Sequence, residues 1–234
     1  MRIAPLLLAL ALAPAAAQDS SEPTVEVSNI RDPAFKSYRL MLSGVEAFEK
    51  NRTLAPQGVL RFQLLPDQGV QTKGLELRIV GDNNAISVAL DDQLTFALPH
   101  APAAAADDAD LRTNRKRGSV RWAPDIRTPG LPFNKRRLGD VRLECKVFWT
   151  IGREDSSILL RAMFSASRDP CNSMNARWME ETIQPLGSAY LREGDRVLAL
   201  KVAKNRLGYD VPVRDKNWSD EAVIELTYLN TAQP

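Results

Sequence analysis

The stretch from Arg137 to Ile151 reads Arg-Leu-Gly-Asp-Val-Arg-Leu-Glu-Cys-Lys-Val-Phe-Trp-Thr-Ile, and it has the most regular hydrophobic pattern in the chain. Apolar residues occupy every second position in its second half: Val141, Leu143, Cys145, Val147, Trp149 and Ile151. A period of two is typical of a half-buried strand. The sequence therefore predicts a strand here, with Cys145 on its buried face.

The first residues predict that the protein is exported. After Met1-Arg2 an apolar run extends from Ile3 to Ala13, and Ala15-Ala-Ala17 follows. A short apolar run that ends in small residues is the pattern of a signal peptide with an A-x-A cleavage site. The run is shorter than the roughly 20 residues of a membrane helix, so no transmembrane segment is predicted. We expect a soluble, periplasmic or secreted protein.

The two cysteines, Cys145 and Cys171, are predicted to form a disulfide bond. The compartment outside the cytoplasm is oxidising, and two cysteines in an exported chain usually pair there. Cys171 follows Asp169-Pro170, a helix-start signal, and shares one side of the predicted helix with Met174 and Trp178. The bond is interpreted as structural, because redox-active pairs favour the Cys-x-x-Cys spacing.

Both sides of the Cys145 stretch consist mostly of short predicted strands separated by turn residues. These strands cover residues 24–30, 59–65, 75–80, 85–90, 94–98, 157–164, 188–192, 196–202 and 222–229. Helices are predicted after the Asp-Pro pairs, over about 33–50 and from residue 170. The predicted fold class is mainly β, with antiparallel β-sandwich-like modules and two short amphipathic helices.

The predicted domain organisation has four parts. Residues 1–17 form the signal peptide, 18–99 an N-terminal helix plus β meander module, 100–139 a Pro/Ala-rich and then basic connector or loop, and 140–234 a disulfide-stapled β module. The prolines of the third part leave no predicted strand longer than Ser119–Trp122. A long structureless stretch is either a linker or a functional loop, so the domain boundary is predicted there.

Basic residues are concentrated in one segment of the chain. The candidate ligand-binding residues are Arg112, Arg115, Lys116, Arg117, Arg121, Arg127, Lys135, Arg136, Arg137 and Arg142. Only Asp125 and Asp140 oppose them, so the segment has a local net charge of +8. Clustered arginines bind carboxylate and phosphate groups. The alternative is that these charges contact the acidic remainder of the same chain.

Few chemistries are supported by the sequence. His100 is the only histidine, which disfavours histidine-based hydrolysis and zinc binding, and we expect no metal site and no cofactor. Export disfavours nucleic acid as a partner.

The leading hypothesis is a non-enzymatic protein that binds an anionic envelope polymer or a protein partner. The alternatives are a glycan hydrolase that uses two carboxylates and a structural accessory domain. The oligomeric state is not predicted.

Overall fold

The computed structural model describes residues 30–82, 85–152, 169–173 and 178–229. The predicted signal peptide, all but the last residue of the predicted strand 24–30 and the predicted strand 157–164 lie outside these ranges. Within them the protein is mainly β, with every strand pair antiparallel, so the predicted fold class is confirmed.

Two antiparallel sheets enclose the first hydrophobic core. One has the strand order β1 (Pro33–Ser37), β6 (Asp110–Lys116), β3 (Leu77–Val80) and β4 (Ala85–Val88), and the other the order β5 (Thr95–Phe96), β2 (Val59–Pro66) and β7 (Val120–Arg127). The inner side chains include Leu77, Leu111, Phe62, Phe96 and Ile126, which are at most 2% exposed. The predicted strands 59–65, 75–80, 85–90 and 94–98 therefore exist. These four strands do not form a simple meander, because β6 pairs with β3 in one sheet and β7 pairs with β2 in the other.

Helix α1 (Tyr38–Lys50) begins later than predicted. Its N-cap is Ser37, whose Oγ accepts a hydrogen bond from the Leu40 amide at 3.4 Å. Residues 33–37 form β1 instead, because Ala34 and Lys36 alternate inward and their backbone pairs with β6. A 3-10 helix (Arg52–Leu54) follows α1, and α2 (Pro102–Ala106) precedes β6.

The second half of the described chain has its own sheets and core. The strand order is β11 (Arg196–Ala199), β10 (Leu186–Glu193), β13 (Val223–Tyr228) and β8 (Lys135–Arg137), and β9 (Trp178–Glu181) pairs with β12 (Gly208–Val211). The predicted strands 188–192 and 196–202 exist as β10 and β11, which pair as a hairpin. The last strand, β13, lies between β10 and β8. A short helix, α4 (Pro170–Ser173), carries Cys171.

The stretch that we predicted as a strand is helix α3 (Leu138–Ile151), so that prediction is wrong. Its side chains are buried in two directions. Leu143, Val147 and Ile151 belong to the first core, whereas Leu138 and Val141 belong to the second. A helix buried on two sides has no single apolar stripe, and in this sequence its two apolar sets interleave into an apparent period of two.

The start of α3 is packed tightly between the two halves. A Cβ atom on Gly139 would lie 2.1 Å from the Leu54 carbonyl oxygen and 2.9 Å from the Asp220 Cβ. Only glycine permits this approach. The Gly139 amide also donates to the Asp220 carbonyl at 3.0 Å. The position of α3 against both halves therefore depends on the absence of a side chain here.

Residues 100–139 are not a structureless connector. They contain α2, β6, β7 and β8. The prediction that no strand in this segment is longer than Ser119–Trp122 is therefore wrong. The prolines are accommodated because Pro102 begins α2, Pro124 lies within β7 opposite Phe62, and Pro129 and Pro132 lie between β7 and β8. The domain division itself stays a prediction. In the described ranges no helix has the length and apolar character needed to cross a membrane.

Asp91 holds the turn before β5, and its removal should weaken the fold at neutral pH. Its carboxylate accepts hydrogen bonds from the Thr95 amide at 2.8 Å, the Thr95 hydroxyl at 2.6 Å and the Gln93 amide at 3.0 Å, and pairs with Arg61 at 3.1 Å. Burial alone would raise the pKa of Asp91, but the Thr95 hydrogen bonds and the Arg61 charge outweigh it and lower the pKa.

We expect Asp91→Asn to reduce the free energy of unfolding at pH 7 by about 1 kcal/mol, a value kept low because the side chain is 46% exposed. A carboxyl with a depressed pKa stabilises above the unfolded pKa of about 3.9 and loses that effect as pH falls through the folded pKa. The difference between wild type and variant should therefore shrink below about pH 4. Urea unfolding at several pH values measures it, with Asp92→Asn as the neighbouring control. A constant difference at all pH values would contradict the assignment.

Candidate functional site

The ten candidate basic residues do not form one continuous patch. Seven of them bind groups within this chain at the junctions between elements: Arg115, Arg121, Arg127, Lys135, Arg136, Arg137 and Arg142. The other three, Arg112, Lys116 and Arg117, lie together at the sheet formed by β1, β6, β3 and β4.

Arg115 fastens a loop to strand β6. Its guanidinium donates to the carbonyls of Gln71 and Lys73, both at 2.9 Å. Asn114 adds bonds to the Gly74 carbonyl at 2.7 Å and from the Glu76 amide at 2.8 Å. The Arg115 side chain is therefore used for structure, and it places the exposed Lys73 beside the end of β6.

Three other basic side chains form ion pairs across element boundaries, and a fourth, Arg127, forms one within its own strand. Arg121 contacts Asp67 at 3.2 Å and also Glu181, Lys135 contacts Glu225 at 2.7 Å, and Arg137 contacts Glu221. Arg127 contacts Asp125 at 2.9 Å and lies over the Phe133 ring at 4.8 Å. These contacts connect strands of the second half to each other and, through Arg121, to the first half.

Arg142 organises the loop before β13. It donates to the carbonyls of Val213 at 2.9 Å, Asp215 at 2.7 Å and Trp218 at 3.0 Å, and pairs with Asp220 at 2.5 Å. Three carbonyls and a carboxylate occupy the guanidinium. This side chain therefore holds α3 against residues 213–220 and has little capacity for an external ligand.

Arg136 lies at the centre of a buried charge cluster between the two halves. It is 3% exposed, contacts Glu144 of α3, pairs with Glu180 of β9 at 2.9 Å and donates to the Ile126 carbonyl at 2.9 Å. Glu144 also accepts the Ile126 amide at 2.5 Å. The cluster joins β7, β8, β9 and α3 through a single guanidinium.

Burial dominates the electrostatics of this cluster. It raises the pKa of Glu144 well above the usual value, against the opposing Arg136 charge. The nearby Tyr209 hydroxyl is also buried, and burial raises its pKa. Shifted pKa values in a cleft are a feature of catalytic sites, but structural ion pairs produce them as well.

The cleft beside this cluster is very small. Asp125, Arg127, Arg136, Glu180 and Tyr228 line it, and its volume is about 20 Å³. A space of this size holds about one water molecule. The three carboxylates in it, Asp125, Glu180 and Glu181, are each paired with an arginine. The cleft does not admit a sugar ring, so the cluster is best explained as a structural junction.

The remaining basic residues share the outer surface of the sheet formed by β1, β6, β3 and β4. We define the basic face as Arg78 of β3, Arg112 and Lys116 of β6, and the neighbouring Arg117. In the strand register Phe35 of β1 lies opposite Arg112, and Arg112 lies opposite Arg78. Phe35, Arg112 and Arg78 thus form a row across three strands, with neighbours about 5 Å apart.

The charges on the basic face are only partly compensated. Arg112 contacts Asp110 at 3.0 Å, and Arg117 contacts Asp32 at 2.8 Å while lying over the Phe35 ring at 4.5 Å. Both pairs are solvent-exposed, and such pairs contribute little stability. In the part of the chain that the structure describes, Arg78 has no carboxylate within ion-pair distance. Glu76 is the remaining acid at this surface.

Sequence reasoning missed Arg78, the member of the basic face that completes it. Arg78 lies 34 positions before Arg112 and outside the basic segment, in a strand with no local excess of charge. The signal in the sequence was its alternation: Leu77 and Ile79 point inward, so Arg78 must point outward. Its pairing with Arg112 comes from the sheet order, which the sequence did not predict.

In the described ranges no three His, Cys, Asp or Glu side chains converge as metal ligands. The searches for similar proteins found no matching family model, curated protein or solved structure, so the function of this chain is inferred from its own geometry.

Proposed function

We propose that this is an exported protein that binds an anionic envelope polysaccharide through the basic face. The predicted signal peptide supports export. The observation that carries the binding proposal is the direct opposition of Arg78 and Arg112 on adjacent strands. Like charges placed directly opposite each other destabilise a sheet, and an anion that spans both removes that cost.

The shape of the basic face suits a linear anion. The Arg117 guanidinium lies over Phe35 of β1, and Phe35, Arg112 and Arg78 follow one another across three strands, which corresponds to roughly 10 Å from β1 to β3. Lys116 lies four residues along β6 from Arg112, on the same face of the sheet and about 13 Å away. Phe35 lies within the row and is 38% exposed. A polymer with regularly spaced carboxylates or sulfates can contact several of these side chains at once.

A double substitution tests this proposal. We expect Arg78→Gln with Arg112→Gln to weaken binding to dextran sulfate about tenfold or more at low salt, because one charge-assisted hydrogen bond contributes about 1.5 kcal/mol or more. Wild-type affinity should fall as salt rises. Lys50→Gln with Arg52→Gln, at the end of α1, is the matched control because it removes the same net charge.

Equal weakening by the two double variants would contradict the proposal, since it would show that only total charge matters. Binding to phosphatidylglycerol vesicles with none to dextran sulfate would also contradict it and would indicate a lipid ligand. Both variants should unfold at wild-type denaturant concentrations, because the exposed pairs involved contribute little to stability.

A further inference from the structure

A groove lies beside strand β11, at residues separate from those of the basic face. Its volume is about 460 Å³. One wall consists of residues 198–201 and the other of residues 210–215, with Trp178 also in the lining. The large apolar side chains of the lining are Trp178, Leu198, Leu200, Val211 and Val213.

The groove exists because a hairpin stops pairing at a proline. Ala203 donates to the Gly208 carbonyl at 2.8 Å, and the Asp210 amide donates to the Lys201 carbonyl at 2.9 Å. The next pair in this register would join residue 199 to Pro212, which has no amide hydrogen. The Val213 amide instead donates to the Val211 carbonyl at 2.9 Å, a three-residue turn. The two arms of the hairpin separate at this point.

The separation leaves one edge of β11 unpaired. The Leu200 amide donates to the Ala189 carbonyl at 2.9 Å, in the same register that pairs β10 with β11. Peptide groups alternate in direction along an antiparallel strand. Those of Val197 and Ala199 therefore point away from β10 and into the groove. Among the residues that the structure describes, neither makes a hydrogen bond on that side.

From Val197 to Ala199 this edge lacks the features that usually protect edge strands. Such strands carry charged side chains, prolines or bulges in their exposed part. Here Val197 is 50% exposed and Leu198 is 38% exposed, and Tyr190 of the adjacent β10 is 37% exposed. Apolar side chains thus flank the free peptide groups on both faces of the sheet.

We propose that this groove binds an extended peptide segment of a partner protein, which adds to β11 as a further strand. Val197 and Ala199 each offer one amide and one carbonyl, so the peptide gains four backbone hydrogen bonds over about four residues. The peptide side chain opposite Leu198 packs against Leu198, Trp178 and Val213. A β-branched or other apolar residue suits this position.

The geometry favours an isolated strand over a second copy of this protein. The opposite wall, residues 210–215, faces the free edge across the groove. A second β11 would bring its own 210–215 arm into the same space, and the two arms would collide. A single extended segment carries no such arm. Such a segment fits between residues 198–201 and residues 210–215.

The charges around the groove favour an uncharged peptide centre. Lys201 and Asp210 lie at the paired end of the groove, and Arg214 and Asp215 lie at the open end. Each end therefore has one charge of each sign. This balance favours neither an acidic nor a basic peptide, and the backbone bonds and apolar contacts remain as the sources of affinity.

Amide hydrogen exchange with synthetic peptides tests the proposal. The probes are capped pentapeptides of the form Thr-Xaa-Thr-Xaa-Thr, with valine, isoleucine or leucine at Xaa. We expect at least one of them to slow exchange of the Val197 and Ala199 amides about tenfold or more at saturation. Exchange at Leu200, which already donates to Ala189, should not change. The same peptides with N-methylated backbones, which lack the donors, should have no effect.

Three variants and three contrary outcomes complete the test. Ala199→Pro removes a groove-facing donor and keeps the bonds to β10, so the peptide effect at Val197 should be lost. Leu198→Asp should also abolish it, whereas Leu198→Met should retain it. Exchange that is unchanged with every peptide would overturn the proposal. Slowing that depends on protein concentration without peptide would overturn it in favour of self-association, and an equal effect of chitopentaose would overturn it in favour of a sugar.

Discussion

Replacing Arg136 by alanine should reduce the free energy of unfolding by about 3–5 kcal/mol, the largest effect that we expect from one substitution. The guanidinium is 3% exposed, and it binds Glu144, Glu180 and the Ile126 carbonyl. Its loss leaves the Glu144 carboxylate, with a side chain only 1% exposed, without a counter-charge. Denaturant unfolding at pH 7 measures the change.

A matched control and a double variant separate this effect from simple loss of a charge. Arg52→Ala breaks the exposed Arg52 and Glu49 pair on the surface and should cost less than about 1 kcal/mol. Arg136→Met combined with Glu144→Leu removes both buried charges and should recover most of the stability. A cost below about 1 kcal/mol for Arg136→Ala would show that the buried cluster does not hold the two halves together.

The pH dependence of the Arg136→Ala variant has a definite sign. Burial raises the pKa of Glu144, and the Arg136 charge opposes that rise in the wild type. Without Arg136 the folded pKa moves still further above the unfolded value of about 4.3. The folded state then binds a proton that the unfolded state releases, so stability increases as pH falls through the folded pKa. The deficit relative to wild type should be largest above the folded pKa of Glu144 and should shrink as pH falls through it.

Loss of the disulfide bond should reduce the free energy of unfolding by about 2–5 kcal/mol. The structure confirms the predicted bond between Cys145 of α3 and Cys171 of α4, with a Cα–Cα distance of 6.0 Å and a sequence separation of 26 residues. A closed loop of this length accounts for roughly 3 kcal/mol in the chain-entropy model. Both cysteines are also buried, at 1% and 5% exposure.

Cys171→Ser and the double variant Cys145→Ser with Cys171→Ser should lose similar amounts of stability, because the bond and not either thiol is responsible. Wild-type protein from an oxidising compartment should show no alkylatable thiol by mass spectrometry until it is reduced. Two alkylatable cysteines without reduction would contradict the bond. Equal unfolding midpoints for oxidised and reduced protein would contradict its role in stability.

The disulfide shows that a correct prediction can follow from a wrong local assignment. Cys145 was placed on the buried face of a strand, and it lies on a buried side of helix α3. The pairing was still correct, because the number of cysteines and the predicted export determine it, whatever the secondary structure. By contrast, the helix itself depends on burial from two directions. No window of sequence reveals that a second core lies on the other side.

The charged residues show the same limit. The concentration of ten basic residues between Arg112 and Arg142 is a property of composition, but the use of each residue depends on its neighbours in space. Arg136 and Arg142 lie six positions apart, and one faces Glu180 while the other faces carbonyls of the 213–218 loop. The opposition of Arg78 and Arg112 exists only because β3 and β6 are adjacent in the sheet.

The sequence by itself determined the mainly β character, most strand positions and the cysteine pair, because alternation, turn residues and residue counts are local or global properties of the chain. The tertiary structure alone decided the strand order, the helical state of residues 138–151 and the division of the arginines between the buried junction and the basic face. Those features depend on contacts between residues far apart in sequence. Such contacts leave no mark on the local pattern of either partner.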